Sequence, residues 1–292
     1  MAKCYLCPRN CGADRELGER GVCGEGEDVR IARYSLHLWE EPPISGTRGS
    51  GTVFFSGCSL RCEFCQNRVI SHEGKGEKIS VERLGEIMLE LEAMGAHNIN
   101  LVTPTHFAEK VAEALRAVKD KLTIPVVYNT SGYEKVETLR LFEGLVDVYL
   151  PDFKYFSDEL SEKYSHAKNY RVHAEAAIAE MFRQVGEPVF DGDGLIKKGL
   201  IIRHLVLPTH RKDSMAVLHR ICEILPRDKV LVSLMSQYTP DFAIAAGTSY
   251  RELHRRITTF EYNSVTEYAS ALGLDGFCQK KSSASAKFTP DF

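Results

Sequence analysis

Six continuously apolar runs alternate with six amphipathic stretches in this chain, and that order constrains its fold more than any other feature. The apolar runs, which are typical of buried β-strands, occupy residues 51–56, 98–103, 125–130, 146–153, 200–208 and 230–236. The amphipathic stretches, which are typical of helices, occupy residues 81–94, 107–119, 134–142, 170–185, 214–225 and 250–272. Because each run is apolar throughout, it predicts a strand of a parallel sheet that is covered on both faces. The strict strand-then-helix order therefore predicts a parallel α/β fold, either a barrel or an open sheet.

Polar residues collect directly after these predicted strands. Right-handed crossovers bring the carboxyl ends of parallel strands to one rim, so residues distant in sequence are expected to meet there. Among them are Cys58, Thr103, Thr105, Asn129, Ser131, Asp152 and Lys154. Arg203 lies inside the fifth predicted strand, where an unpaired charge would be costly, so we expect it to face a polar interior or pair with a carboxylate. This rim is the predicted active-site face.

Seven of the nine cysteines lie within the first 65 residues. Disulfide scaffolds are normally short and secreted, whereas this chain has 292 residues and its first five lack the apolar core of a secretory signal. The expected location is the cytoplasm, where clustered thiols are typical metal ligands. The other two cysteines, Cys222 and Cys278, are interpreted as structural thiols.

Cys4, Cys7, Cys11 and Cys23 form the first cysteine group, at gaps of two, three and eleven residues. Four thiolates make a closed site for structural zinc or for an auxiliary iron–sulfur cluster, and the spacing leaves both open. A segment that contains several glycines and prolines separates this group from the first predicted strand. We therefore predict a Cys-rich metal-binding extension and linker over residues 1–46 and a main domain over residues 47–292.

Cys58, Cys62 and Cys65 form the second group, directly after the first predicted strand. Three thiolates within eight residues can hold one face of a cuboidal iron–sulfur cluster, which takes four when it is fully ligated. No fourth cysteine follows nearby, so one iron would be left open for another ligand. Zinc is the alternative, although three-ligand zinc sites usually include histidine or a carboxylate.

This three-cysteine spacing, with Phe64 before the last cysteine, resembles the signature of the radical S-adenosylmethionine (SAM) superfamily. The resemblance implies a partial (β/α)6 barrel that carries a [4Fe-4S] cluster on Cys58, Cys62 and Cys65. It also implies that the open iron binds the amino and carboxylate groups of SAM. An electron from a low-potential donor protein would then cleave SAM to methionine and a 5′-deoxyadenosyl radical, which abstracts hydrogen from a substrate.

More narrowly, the chain resembles the relatives of pyruvate formate-lyase activating enzyme. The resemblance rests on Cys4-Tyr-Leu-Cys7-Pro-Arg-Asn-Cys11-Gly, on Cys65-Gln-Asn67, and on the segments 98–106 and 202–208. It implies that the chain installs a glycyl radical on a partner protein. Radical modification of a peptide, RNA or small molecule is the alternative, and a non-catalytic iron–sulfur electron carrier or zinc-stabilised binding module is the alternative of another class.

Only some of the family's SAM-binding motifs have a counterpart in this sequence. Many members carry Gly-Gly-Glu after the second strand, whereas this chain has Thr-Pro-Thr-His at positions 103–106, so hydroxyls or carbonyls would have to accept from the SAM amino group. Asn129 and Ser131 resemble the turn that binds the ribose and carboxylate of SAM, and capping of the next helix is the alternative. The expected cofactor-binding residues are Phe64, Thr103, Thr105, Asn129, Ser131, Asp152, Lys154 and Arg203.

The overall charge gives no reason to expect a polyanionic partner. The chain has 37 Lys and Arg against 40 Asp and Glu, a formal net charge of −3. Such a chain has no bulk attraction for nucleic acid. Its apolar stretches are also shorter than the roughly 18 residues of a membrane-spanning helix, so no membrane association is expected.

Overall fold

The structure, a computed structural model, describes residues 3–279. Its strands are β1 (Val29–His37), β2 (Ser50–Phe55), β3 (Glu77–Ile79), β4 (Ile99–Val102), β5 (Val126–Thr130), β6 (Val148–Pro151), β7 (Val189–Phe190), β8 (Ile196–Leu205), β9 (Leu231–Met235) and β10 (Gly276–Cys278). Its helices are α1 (Pro42–Ser45), α2 (Arg68–Ser71), α3 (Val81–Ala93), α4 (Ala108–Val118), α5 (Val136–Leu139), α6 (Asp158–Ser165), α7 (Tyr170–Val185), α8 (Arg211–Ile224), α9 (Asp241–Ala245) and α10 (Thr259–Ala271).

The central sheet is an incomplete barrel. Its strand order is β10-β9-β8-β6-β5-β4-β2-β1-β3, with β7 paired to β8, and the path does not return to its start. Neighbours from β2 to β10 along this path are parallel, whereas β1 is antiparallel to both β2 and β3. The predicted partial α/β barrel is thus confirmed, and the carboxyl ends of the parallel strands meet at one rim.

The helices cover the sheet through regularly spaced apolar side chains. In α3, Leu84, Ile87, Met88 and Leu91 are buried at the spacing of one helix face. The parallel strands are buried on both faces, as β2 and β5 illustrate, since every one of their residues is buried. This coverage is the reason for the continuous apolar runs in the sequence.

The segment before the first parallel strand belongs to the same sheet. β1 pairs with β2 from His37 opposite Ser50 to Ile31 opposite Phe55. The short helix α1 follows, and its Ile44 is fully buried against residues of β5, β6 and β8. Residues 29–45 therefore pack on the barrel, and the division at residue 46 stays a prediction.

Three of the elements that differ from those predicted show why a local pattern was misread or missed. The stretch 250–272 is not one helix, because Thr258 and Glu261 form a capping box that starts α10 at Thr259. α6 was not predicted, although Ser157 caps it and acidic residues fill its first turn. β10 was also missed because three residues are too few to show a periodic pattern.

Candidate active site

The second cysteine group lies on the loop between β2 and α2. Cys58, Cys62 and Cys65 all line a cavity at the carboxyl rim of the strands. Gly57 begins this loop with a φ of +80°, and a Cβ there would lie 2.8 Å from the carbonyl oxygen of Cys23. The backbone N–H of Cys58 donates a hydrogen bond to that same carbonyl, at 3.3 Å. The two cysteine groups are therefore in direct backbone contact, which requires glycine at position 57.

Each thiol of this loop has a polar neighbour. The backbone N–H of Leu60 lies 3.4 Å from Cys58 Sγ, Ser165 Oγ lies 3.0 Å from Cys62 Sγ, and Ser71 Oγ lies 3.2 Å from Cys65 Sγ. Burial raises the pKa of Cys58 and raises that of Cys62 to about 11, while Lys154 acts in the opposite direction. Metal binding must therefore displace protons from these thiols.

A chain of charged side chains lines the same cavity as the cysteines. Arg203 donates from Nε to Asp152 Oδ1 at 2.9 Å and from Nη2 to Asn129 Oδ1 at 2.6 Å. Lys154 Nζ lies 2.6 Å from the other oxygen of Asp152. Burial by itself would raise the pKa of Asp152, but Arg203 and Lys154 hold it below its usual range. The predicted pairing of Arg203 with a carboxylate is confirmed.

Glu40 joins this chain from outside the parallel strands. Its carboxylate accepts hydrogen bonds from Asn100 at 3.1 Å and from Arg203 at 3.4 Å. Burial raises the pKa of Glu40. The sequence analysis assigns Glu40 no role, because the residue falls within the predicted extension and linker over residues 1–46. Its signal was the acidic pair Glu40-Glu41 ahead of two prolines, in a chain segment otherwise rich in apolar residues.

The cavity brings together nearly all of the residues expected from sequence. Besides the three cysteines, its walls include Phe64, Thr103, Asn129, Ser131, Asp152, Lys154 and Arg203. Thr103 has a φ of +61°, a strained backbone conformation for a β-branched residue that is typical of functional sites. Phe64 packs against Tyr238, which was not anticipated and also lines the cavity. The hydroxyls of Ser131 and Thr239 are buried there without a protein partner, as expected where a polar ligand binds.

Thr105 is the exception, and its assignment to SAM is corrected. It does not line the cavity, and its hydroxyl donates to Glu134 Oε1 at 2.5 Å instead. The chain turns through a short 3₁₀ segment, Thr105–Phe107, which directs this side chain into the core. His106, in the same segment, is also buried, and burial lowers its pKa to about 4.

The buried carboxyl group of Glu134 should make the stability of the fold depend on pH. Burial raises its pKa from 4.5 to about 7, even though Thr105 and Thr130 donate hydrogen bonds to it. Between these values the folded state keeps a proton that the unfolded state has lost, so stability should fall as the pH rises, by about 3 kcal/mol in all. Urea unfolding of the wild type and of Glu134→Gln at pH 5 and pH 8 should show this fall as the difference between the two proteins, because buried histidines such as His106 change the stability of both in the opposite direction. An equal pH dependence in the two proteins would contradict the assignment.

The first cysteine group is also gathered in space. Cys11 Sγ and Cys23 Sγ both lie within 3.3 Å of the point where Gly21 would carry a Cβ. Arg15 donates to Cys23 Sγ at 3.3 Å. Cys7 is buried, and burial raises its pKa to about 12. No disulfide joins any of the described cysteines.

A single metal ion does not fit either cysteine group as it stands. Within residues 3–279, no three histidine, cysteine or acidic side chains are arranged to hold one ion. A tetrahedral zinc site brings its sulfurs to within about 4 Å of one another. A cuboidal cluster spreads its thiolates over separate irons, so zinc and a cluster both stay open for the first cysteine group.

Comparison with known families decides the class of protein. Residues 52–197 match the Radical SAM superfamily. The chain belongs to the radical SAM superfamily. Membership implies a [4Fe-4S] cluster and SAM. The free thiols of Cys58, Cys62 and Cys65, which line the cavity, are chemically suited to hold such a cluster. No helix within the described part of the chain is long and apolar enough to cross a membrane.

Two similar proteins come from Methanocaldococcus jannaschii, and both are described as uncharacterized. MJ0674 is 31% identical over 282 residues, which cover 93% of this chain and 75% of the relative. MJ0808 is 23% identical over 265 residues, which cover 83% of this chain and 72% of the relative. Both alignments cover more of this chain than the family match over residues 52–197.

Solved structures share the fold at low sequence identity. SuiB from Streptococcus suis, bound to S-adenosylmethionine, aligns with a TM-score of 0.51 at 12% identity, over 76% of this chain and 48% of SuiB. A spore photoproduct lyase variant aligns with a TM-score of 0.53 at 8% identity, over 77% of this chain and 74% of the lyase. The chain thus spans about half the length of SuiB, and the likeness concerns the fold alone.

Proposed function

We propose that Cys58, Cys62 and Cys65 hold a [4Fe-4S] cluster and that SAM binds in the adjoining cavity. The observation that carries the proposal is that three free thiols line the same cavity as the charged side chains of Asp152, Lys154 and Arg203. When bound, the cluster supplies the electron that cleaves SAM to methionine and a 5′-deoxyadenosyl radical. A low-potential electron donor protein would reduce it.

The residues of the cavity have distinct roles in this proposal. Lys154 and Arg203 bring positive charge to the cavity wall and suit the carboxylate of SAM, while Asn129 and Ser131 offer hydrogen bonds to its polar groups. Thr103 presents a hydroxyl near the end of β4, where the usual glutamate is absent. Phe64 and Tyr238 supply apolar surface that excludes water from the reacting groups.

SAM cleavage is the decisive test. The anaerobically reconstituted protein is incubated with SAM and dithionite, and 5′-deoxyadenosine and methionine are measured by chromatography. Both products should form in equal amounts. An electron carrier or a binding module without turnover would release neither, and that result would overturn the proposal.

For the substrate, we propose a glycyl-radical protein. The support is the resemblance of the N-terminal cysteine pattern and of Cys65-Gln-Asn67 to relatives of pyruvate formate-lyase activating enzyme. Leu38 and Trp39, about half exposed, stand beside Glu40, and Trp39 itself lines the cavity. Electron paramagnetic resonance on a candidate partner, after incubation with the reduced enzyme and SAM, should show a carbon-centred radical on that partner.

A peptide substrate is the second candidate. SuiB, which shares the fold, has been solved with its precursor peptide. A peptide-modifying enzyme would leave a lasting mass change on its substrate and no persistent protein radical, so mass spectrometry after the same incubation separates the two candidates.

We also propose that Cys4, Cys7, Cys11 and Cys23 hold an iron–sulfur cluster rather than zinc. The support is the position of Cys11 Sγ and Cys23 Sγ around one point beside Gly21, together with the hydrogen bond from Arg15 to Cys23 Sγ, which offsets thiolate charge. The contact between Cys23 and Cys58 brings the two centres close together. In this proposal residues 1–46 form the metal-binding extension.

Replacing Cys23 should remove this second centre alone. Cys23→Ala deletes one of four ligands, so iron and sulfide should fall by one cluster's worth while the cluster on Cys58 is retained. The measurement is iron, sulfide and zinc analysis of the purified variant beside the wild type. Loss of zinc with unchanged iron would instead identify a zinc site.

A further inference from the structure

Ser165 occupies a special position beside the proposed cluster. It is the last residue of α6, it is fully buried, and its Oγ lies 3.0 Å from Cys62 Sγ. This is the shortest of the contacts made by the three thiols of the loop. The hydroxyl of Tyr155, also buried, lies 2.8 Å from Ser165 Oγ. The three side chains form a continuous chain away from solvent.

The direction of these hydrogen bonds follows from proton counting. A cluster-bound thiolate carries no proton and can only accept, so the single proton of Ser165 must point to Cys62. The contact between Ser165 and Tyr155 then has only the phenol proton available, so Tyr155 donates to Ser165. Because donors in series polarise one another, Tyr155 strengthens the bond from Ser165.

The backbone around Ser165 keeps this geometry in place. The N–H of Arg61 donates to the Ser165 carbonyl at 3.3 Å, and the N–H of Glu63 donates to the Tyr164 carbonyl at 2.9 Å. Arg9, from the cysteine-rich N-terminal region, donates from Nη2 to the Ser165 carbonyl at 3.1 Å and from Nε to the Ser59 carbonyl at 2.7 Å. The cysteine loop is thereby tied to the end of α6 on both sides of Cys62.

We propose that Ser165, supported by Tyr155, donates a hydrogen bond to the Cys62 thiolate and so raises the reduction potential of the cluster. This rests on the proposed function, since it assumes a cluster on Cys62. A donor withdraws negative charge from the thiolate, and reduction adds an electron to the cluster. The hydrogen bond therefore stabilises the reduced state more than the oxidised state. Ser165 is a positioning residue here, because it acts through a cluster ligand.

The test is a redox titration of the reconstituted enzyme, followed by electron paramagnetic resonance. In Ser165→Ala the midpoint potential should become more negative. At a fixed solution potential, the ratio of reduced to oxidised cluster should fall about tenfold, which corresponds to a shift of about 59 mV for one electron. Tyr155→Phe should give a smaller shift of the same sign. Electron–nuclear double resonance should also lose an exchangeable proton coupling in Ser165→Ala.

Ser161→Ala is the matched control. Ser161 lies in the same helix and is fully buried, but its hydroxyl donates to the carbonyl of Ala167 at 2.8 Å. The midpoint potential of the cluster in Ser161→Ala should equal that of the wild type. A Ser165→Ala enzyme that loads its cluster with an unchanged midpoint would overturn the inference, whereas a wild type without a cluster would overturn the proposed function. If Ser165→Ala fails to bind a cluster, Tyr155→Phe takes its place in the test. A midpoint potential in Tyr155→Phe that equals the wild-type value would then overturn the inference.

Discussion

Cys58→Ala should abolish SAM cleavage. The substitution removes one of three thiolates that line the cavity, and a cuboidal cluster left with two protein ligands is not retained. We expect the variant to lose about one cluster's iron and sulfide and its 5′-deoxyadenosine formation to fall to the level of a protein-free sample. The N-terminal cysteine group should keep its metal. Iron analysis and chromatographic product analysis on anaerobically purified protein measure both effects.

Cys222→Ala provides the control for that loss. Cys222 is a half-buried thiol on α8 and takes no part in the cavity. Its replacement should leave iron content and SAM cleavage unchanged. Unaltered iron in Cys58→Ala would contradict the assignment of this residue as a ligand.

Asp152→Ala should destabilise the fold severely. Its carboxylate pairs with both Arg203 and Lys154, whose side chains are largely buried. Removing it leaves two cations without their shared counter-charge, and breaking a buried pair in this way costs about 3–5 kcal/mol. Urea unfolding at neutral pH should show a loss of this size. The affinity for SAM should fall as well, because Asp152 lines the cavity and holds both cations in place.

Asp28→Ala is the matched carboxylate deletion at the surface. Asp28 pairs with Lys78 at 2.7 Å, but both side chains are more than half exposed. Exposed pairs contribute less than about 1 kcal/mol, so this variant should unfold almost like the wild type. Equal losses in the two variants would show that the charge chain in the cavity is not a stabilising network.

The sequence predicted the parallel strands and the cavity because both follow from short-range patterns. Continuous apolar runs identify strands covered on two faces, and the rule that their carboxyl ends share a rim places Asn129 and Asp152 near Cys58. The pairing of Arg203 with a carboxylate was predictable from the cost of a buried charge.

What escaped prediction depends on contacts between distant segments. Glu40 enters the cavity because β1 pairs with β2 and α1 then turns beneath the barrel, and no local pattern encodes that route. Thr105 was misplaced because it lies in a short 3₁₀ segment where its hydroxyl donates to Glu134 and does not reach the cavity. Ser165 could not be recognised as a neighbour of Cys62, since 103 residues separate them and α6 itself was missed.

An unclosed barrel leaves two free strand edges, which are ordinarily sites of aggregation. Within residues 3–279 the sheet ends on β3 at one side and on β10 at the other, and each of these strands is only three residues long. β3 also carries Glu77 and Lys78, both exposed. A strand of three residues gives another polypeptide little to pair with, and the charges of β3 oppose pairing further. At β3 and β10 the barrel can therefore stay open without inviting edge-to-edge association between molecules.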